Sequence, residues 1–226
     1  MKHCAVVFGL VIGLVNAATA AEATYQIRFE SDWSSATHPP ALPPNPHYSP
    51  LIGATHNATG FVWSPGVLAS AGVQQMAETG GTSGLSGEVN DLISAGLADQ
   101  VVSGPGMGNT PMAVQIASIT VAEDFPLLSL VTMIAPSPDW FVGVHDVALI
   151  EQATWVSALT IDLHAYDAGT DNGVSFTAPN NPSTPHVPVS LFTGAPFDNG
   201  VPLGRFVITQ LSNSGAPDRL FADSLE

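Results

Sequence analysis

The sequence predicts an all-β fold, an antiparallel β-sandwich of roughly seven strands carrying two short helices. Three observations predict it. Apolar and polar residues alternate through residues 24–33 and again through 155–166, the period-two pattern of strands with one buried face. Leu127–Ala135 is an almost unbroken apolar run, which suits a central strand covered on both faces. Gly, Pro, Asn and Asp punctuate the chain between such segments, with no internal repeat or low-complexity linker to divide it.

The first twenty residues precede the fold. Lys2 supplies a positive start, and residues 5–15 form an apolar core too short for a comfortable membrane span. Ala18-Thr19-Ala20 has the small-x-small pattern of a leader-peptidase site. Residues 1–20 are therefore expected to be a signal peptide and 21–226 one domain, secreted or periplasmic, with no stable membrane insertion after cleavage. Cys4, the single cysteine, leaves with the leader, so neither a disulfide nor a cysteine metal ligand is expected. A mature chain of about 200 residues buries a core without such staples.

Taken in order, residues 24–33 place Tyr25, Ile27 and Phe29 on one face and Gln26, Arg28 and Glu30 on the other. Residues 34–50 are rich in Pro and His, unsuited to a central strand, and are expected to be an ordered surface loop. Val67, Leu68, Val73 and Met76 predict one short helix. Leu85, Val89, Leu92 and Ile93 predict a second, stopped by Gly96. Both are expected on an edge or one end of the sandwich. Residues 104–108 form a Gly-rich loop. Strands then follow at 112–124, 127–135, 141–150 (one or two short ones), 155–166, 187–192 and 205–211.

The formal charge is −15, and −16 once Lys2 is removed, because residues 1–20 contain no acid. Phosphate contacts need Lys and Arg, and only Arg28, Arg205 and Arg219 remain, so nucleic acid is excluded as a partner. An anionic membrane surface is disfavoured for the same reason. The charge balance favours divalent cations. Charged residues are only 10% of the chain and hydrophobic ones 45%, which is not a disordered composition.

Two loops carry the strongest chemical signal. Asp167 and Asp171 are separated by Ala-Gly-Thr, and Gly169 can adopt a positive φ that reverses the chain and turns both side chains toward one point. Asp139 follows Pro136-Ser137-Pro138, whose prolines fix the shape of the second loop. Both loops leave the C-terminal ends of predicted strands, and strands running the same way would bring the three carboxylates to one end. Converging carboxylates raise one another's pKa, and a divalent cation removes that conflict. Oxygen-only ligation favours calcium over zinc or magnesium. The loop is not an EF-hand: counted from Asp167, Asn172 stands at position six and Ala178 at position twelve. Spacing alone favours a plain turn with solvated acids.

Ser49-Pro-Leu-Ile-Gly-Ala-Thr-His56, Pro136-Ser-Pro-Asp-Trp-Phe-Val-Gly143 and Asp162-Leu-His-Ala-Tyr-Asp-Ala-Gly-Thr-Asp171 resemble the signature blocks of the spondin N-terminal domain family. The similarity extends over about residues 24–211. The resemblance implies a C2-like antiparallel sandwich of about eight strands with a bound calcium, ligated by Asp139, Asp167 and Asp171. It implies an adhesion or interaction module for an unidentified protein or glycan ligand, with no catalytic residues. The chain departs from the animal members in lacking their cysteines and thrombospondin-type repeats, which weakens the implication of matrix adhesion and integrin engagement and leaves that of the fold and cation site. A leader ahead of one such domain reads as bacterial.

Other constellations carry less. Seven histidines include no His-Glu-x-x-His, so loop or solvated roles outweigh zinc. Gly84-Leu-Ser-Gly87 is one residue short of a Gly-x-Ser-x-Gly elbow, and residues 104–108 lack the Lys of a phosphate loop. The rival function is a calcium-dependent extracytoplasmic hydrolase of surface polymers, which requires a pocket with a paired His and acid. Trp140 and Phe141 are either an exposed tip or packing beneath the Asp139 loop, and bulk favours packing.

Overall fold

A computed structural model describes residues 20–38, 42–108, 112–197 and 200–217. Residues 1–19, with Lys2 and Cys4 of the expected leader, lie outside the described residues, as does Arg219. In chain order the elements are β1 (Glu22–Ser31), β2 (His47–Tyr48), β3 (Leu51–His56), α1 (Ala71–Thr79), α2 (Ser83–Ser94), β4 (Ala98–Gly104), β5 (Ala113–Ala122), β6 (Leu127–Ala135), β7 (Trp140–Ala148), β8 (Ile150–Glu151), β9 (Thr154–Trp155), β10 (Ala158–Leu163), β11 (Tyr166–Asp167), β12 (Ser190–Leu191) and β13 (Gly204–Asn213). Eight of these strands have six or more residues, and the other five have two.

Two antiparallel sheets face each other. The smaller has the order β10-β13-β1-β5, the larger β12-β11-β7-β6-β3-β4 with β2 also on β6, and β8-β9 is a separate hairpin. Alternation works as predicted in β1: Tyr25, Ile27 and Phe29 are buried, and Ile27 and Phe29 sit opposite Ile208 and Phe206 of β13. Across the interior they meet Leu128, Leu130 and Ile134 of β6 and Trp140, Val142 and Val144 of β7. Each such large side chain contributes on the order of 1.5–3 kcal/mol by leaving water.

The helices form a third layer. They cover the outer face of the larger sheet instead of an edge or end. Val73, Met76 and Ala77 of α1 and Leu85 and Val89 of α2 pack on Ile52, Ala54, Val131, Met133 and Phe141. This layer is why all nine residues of β6 are buried. Ser70 caps α1 by accepting from the Val73 amide at 3.1 Å, and Gly80, at φ +70°, closes it. The helices touch at Gly72, where an added Cβ would lie 2.5 Å from the Leu85 nitrogen. The Glu88 carboxylate joins the pair by accepting from the Gly72 amide at 2.6 Å. Val67 and Leu68 lie ahead of α1 and are exposed, so they belong to the preceding loop.

Other departures have local causes. Residues 34–50 hold the short strand β2, and Tyr48 is buried against Phe29 and Trp33. The strand expected at 187–192 contracts to Ser190–Leu191. Pro188 has no N–H to donate, and the Val187 and Val189 amides bond instead to the carbonyls of Gly169 and Val67. No helix among the described residues is long and apolar enough to cross a membrane.

Candidate functional site

The two acidic loops meet at one corner of the larger sheet. Asp139 stands at the mouth of β7, and Asp167, in β11, pairs with its neighbour Trp140. The Asp139 carbonyl accepts from the Ala168 amide at 3.2 Å. Its carboxylate goes further: Oδ2 accepts from the Thr170 amide at 2.8 Å, the Asp171 amide at 3.0 Å and the Thr170 hydroxyl at 3.2 Å. Asp139 thus staples the second loop. Its Oδ1 is buried without a hydrogen-bond partner, and the residue is 0% exposed.

The loop is shaped by its own polar groups. Asp167 Oδ1 accepts from the Gly169 amide at 2.7 Å. Gly169 has φ +75°, and a Cβ there would lie 2.1 Å from the Val187 carbonyl oxygen, so backbone strain and space both require glycine. Ser183 donates from its hydroxyl to the Gly169 carbonyl at 2.6 Å. Asp171, 6% exposed, accepts from the Gly173 amide through Oδ1 and the Asn181 amide through Oδ2, each at 2.7 Å.

Electrostatics follow from this crowding. Burial, then the Asp167 charge, pushes the Asp139 pKa up from 3.8 to about 6, against the opposing effect of the three donors on Oδ2. Asp167 is also raised, first by burial and further by Asp171, while the Gly169 amide lowers it. Among the described residues no group of three or more His, Cys, Asp or Glu stands in metal-holding geometry. The three aspartates are neighbours, each partly engaged by backbone amides. Their donor chemistry still fits a hard cation, because every side-chain acceptor is a carboxylate oxygen and one of them, Asp139 Oδ1, is buried and unpartnered.

Trp140 is fully buried behind the corner, packed among Phe176, Phe192 and Phe197, and Phe141 stacks on Tyr166. Neither is an exposed tip. Next to this aromatic group lies a cleft of about 360 Å³, where Leu191, Phe192, Phe197, Val201 and Leu203 surround His164 and Thr193. Among its described lining residues no acid accompanies His164.

A second polar network lies in the larger sheet, where no pattern of sequence spacing points to it. His56, fully buried in β3, holds Ser129 Oγ at 2.9 Å through Nε2, and its Nδ1 lies 2.9 Å from the Asn57 carbonyl. The Asp146 amide donates to Ser129 Oγ at 3.0 Å, and Asp146 has φ +51°. Ser129 sits at the β6–β7 register shift, so the network fixes a bulge. Ser129 is fully buried and is not placed to meet a substrate. The block containing His56 gave the only sequence signal for it.

The Spondin_N family model matches residues 23–203. Human spondin-1 is 29% identical over 228 aligned residues, covering 94% of this chain and 28% of its own length. Spondin-1 of Gallus gallus is 34% identical over 168 residues, covering 72% of this chain and 21% of its own. Human spondin-2 is 35% identical over 184 residues, covering 76% of this chain and 53% of its own. The chain therefore spans about half or less of the length of these curated relatives.

Proposed function

The chain belongs to the spondin N-terminal domain family, and from that premise we propose that it is an exported calcium-binding interaction module, with no catalysis of its own. The observation that carries the calcium reading is the buried, unpartnered Asp139 Oδ1 beside Asp167. Asp139, Asp167 and Asp171 would hold the ion, with backbone carbonyls completing its shell. The ion supplies positive charge where like charges crowd, and it ties the Asp139 loop to the Asp167–Asp171 loop.

The same corner offers a contact surface. Val174, 82% exposed, follows Gly173, whose position lies against Pro138 of the Asp139 loop. Val187, also exposed, packs its backbone on Gly169. Ordering the loops by calcium fixes both side chains for a protein or glycan partner. The export reading is supported by the leader pattern of residues 1–20.

Asp167→Asn tests the ion. Extracellular calcium modules bind at about 10⁻⁴–10⁻³ M. Calcium at about a hundred times Kd stabilises by roughly 2.7 kcal/mol, about 5–10 °C in Tm for a chain of this size. The variant is expected to lose most of that calcium-dependent rise and to change little in chelator. An equal drop in both media would reject ligation.

A further inference from the structure

Ala21 is the first residue after Ala18-Thr19-Ala20, and one acidic residue holds its main chain at both ends. Its amide donates to Glu123 Oε1 at 3.0 Å, and its carbonyl accepts from the Glu123 amide at 2.9 Å. Glu123 lies just beyond β5 and is 7% exposed. The next residue, Glu22, opens β1 and is anchored too: its amide donates to Ser214 Oγ at 3.0 Å, and its carbonyl accepts from the Ser214 amide at 2.9 Å. A cut between Ala20 and Ala21 would leave no overhang, because the first residue of the product is already seated.

We propose that removal of the leader at this bond creates a half-buried ion pair between the new α-ammonium of Ala21 and the Glu123 carboxylate, so that processing itself stabilises the fold. The inference rests on the export reading above. A leader peptidase adds one water across the Ala20–Ala21 peptide bond. The water oxygen goes to the Ala20 carboxylate, which departs, and both hydrogens go to the Ala21 nitrogen, which becomes –NH₃⁺. Before the cut that nitrogen is a neutral amide giving Glu123 one ordinary hydrogen bond. After it, the same atom carries three hydrogens and a positive charge, and the bond to the Ala21 carbonyl keeps it in reach. Charge-assisted hydrogen bonds are roughly twice as strong as neutral ones. A carboxylate shielded from water gains most from a charged partner.

Composition makes the test clean. Lys2 is the one lysine, so the processed chain holds a single primary amine, its own N-terminus. The full chain is expressed with its leader in a bacterial host, and the exported protein is weighed by intact mass spectrometry. The expected product begins at Ala21. A chain retaining its leader would overturn the export reading and this inference together. A cut at another bond would overturn the ion pair and leave export standing. The processed protein is then either acetylated, which removes the charge, or reductively dimethylated, which keeps it. Acetylation is expected to lower Tm by about 3–6 °C, and dimethylation by much less. In Glu123→Gln the two reagents are expected to act alike. Equal shifts from both reagents in the unsubstituted protein, or no shift from acetylation, would overturn the ion pair whether or not the Gln variant folds.

Discussion

Without calcium, Asp139 should make this protein less stable as pH rises from 4 to 7. The folded state holds the proton more tightly than the unfolded chain, because burial and Asp167 push the Asp139 pKa from 3.8 to about 6. Well below pH 4 the group is protonated in both states and costs nothing. Between 4 and 6 the unfolded chain releases the proton first, which draws the equilibrium toward unfolding. Above 6 the folded state must bury the charge. A shift of about two units at about 1.36 kcal/mol each is roughly 3 kcal/mol, lost across that window. Asp139→Asn removes this contribution. Its amide oxygen can take the place of Oδ2 and keep the donors from Thr170 and Asp171. The assay is urea unfolding of both proteins in calcium-free buffer at pH 4 and pH 7. Comparing the two pH differences cancels the other acids and any fixed cost of the amide. The unsubstituted protein should lose roughly 2.5 kcal/mol more than the variant between the two pH values, since part of the shift is already expressed at pH 4. Calcium at pH 7 should restore it and leave the variant unchanged. Parallel pH dependences would refute the argument, since they would mean that Asp139 titrates as an ordinary solvated acid.

Two further variants probe the scaffold. Ser129→Ala leaves the Asp146 amide and His56 Nε2 without their shared partner, and should cost about 2–4 kcal/mol in urea unfolding; a loss below about 0.5 kcal/mol would mean that water replaces the hydroxyl. In the β8–β9 hairpin Gln152 and Ala153 sit at φ +50° and +56°, so Gln152→Asn with Ala153→Gly should stabilise by about 0.5–1.5 kcal/mol, and an unchanged or lower Tm would count against strain there.

The strands legible in the sequence either have one wet face or form an unbroken apolar run. β1 and β10 alternate, and β6 announces itself by an apolar run of strand length. β3, equally buried, does not stand out because Gly53 and His56 break its apolar run. Gly53 is there for space: a Cβ would lie 1.9 Å from the Ser129 carbonyl oxygen of β6. β4, with Asp99 and Gln100 exposed or half-exposed near its start, follows a helix too closely to stand out. The helices were legible from their spacing, but their seat was not, since periodicity gives the width of an apolar stripe and not the surface it meets. At the acidic corner, the positive φ of Gly169 and the nearness of Asp139 to the other loop could be inferred from residue types and strand ends. The inward turn of Asp139 Oδ2 onto the Thr170 and Asp171 amides could not, because it depends on the register of β11 against β7.

The helix pair inserted between β3 and β4 also decides where this molecule can be touched. A two-layer sandwich leaves a broad pleated plane open to a partner on either side. Here the larger plane is roofed, and its residues answer to the roof. The outer side of the smaller sheet, which carries Gln26, Arg28 and Glu30 of β1, stays open to solvent, so the molecule has one covered plane and one bare one.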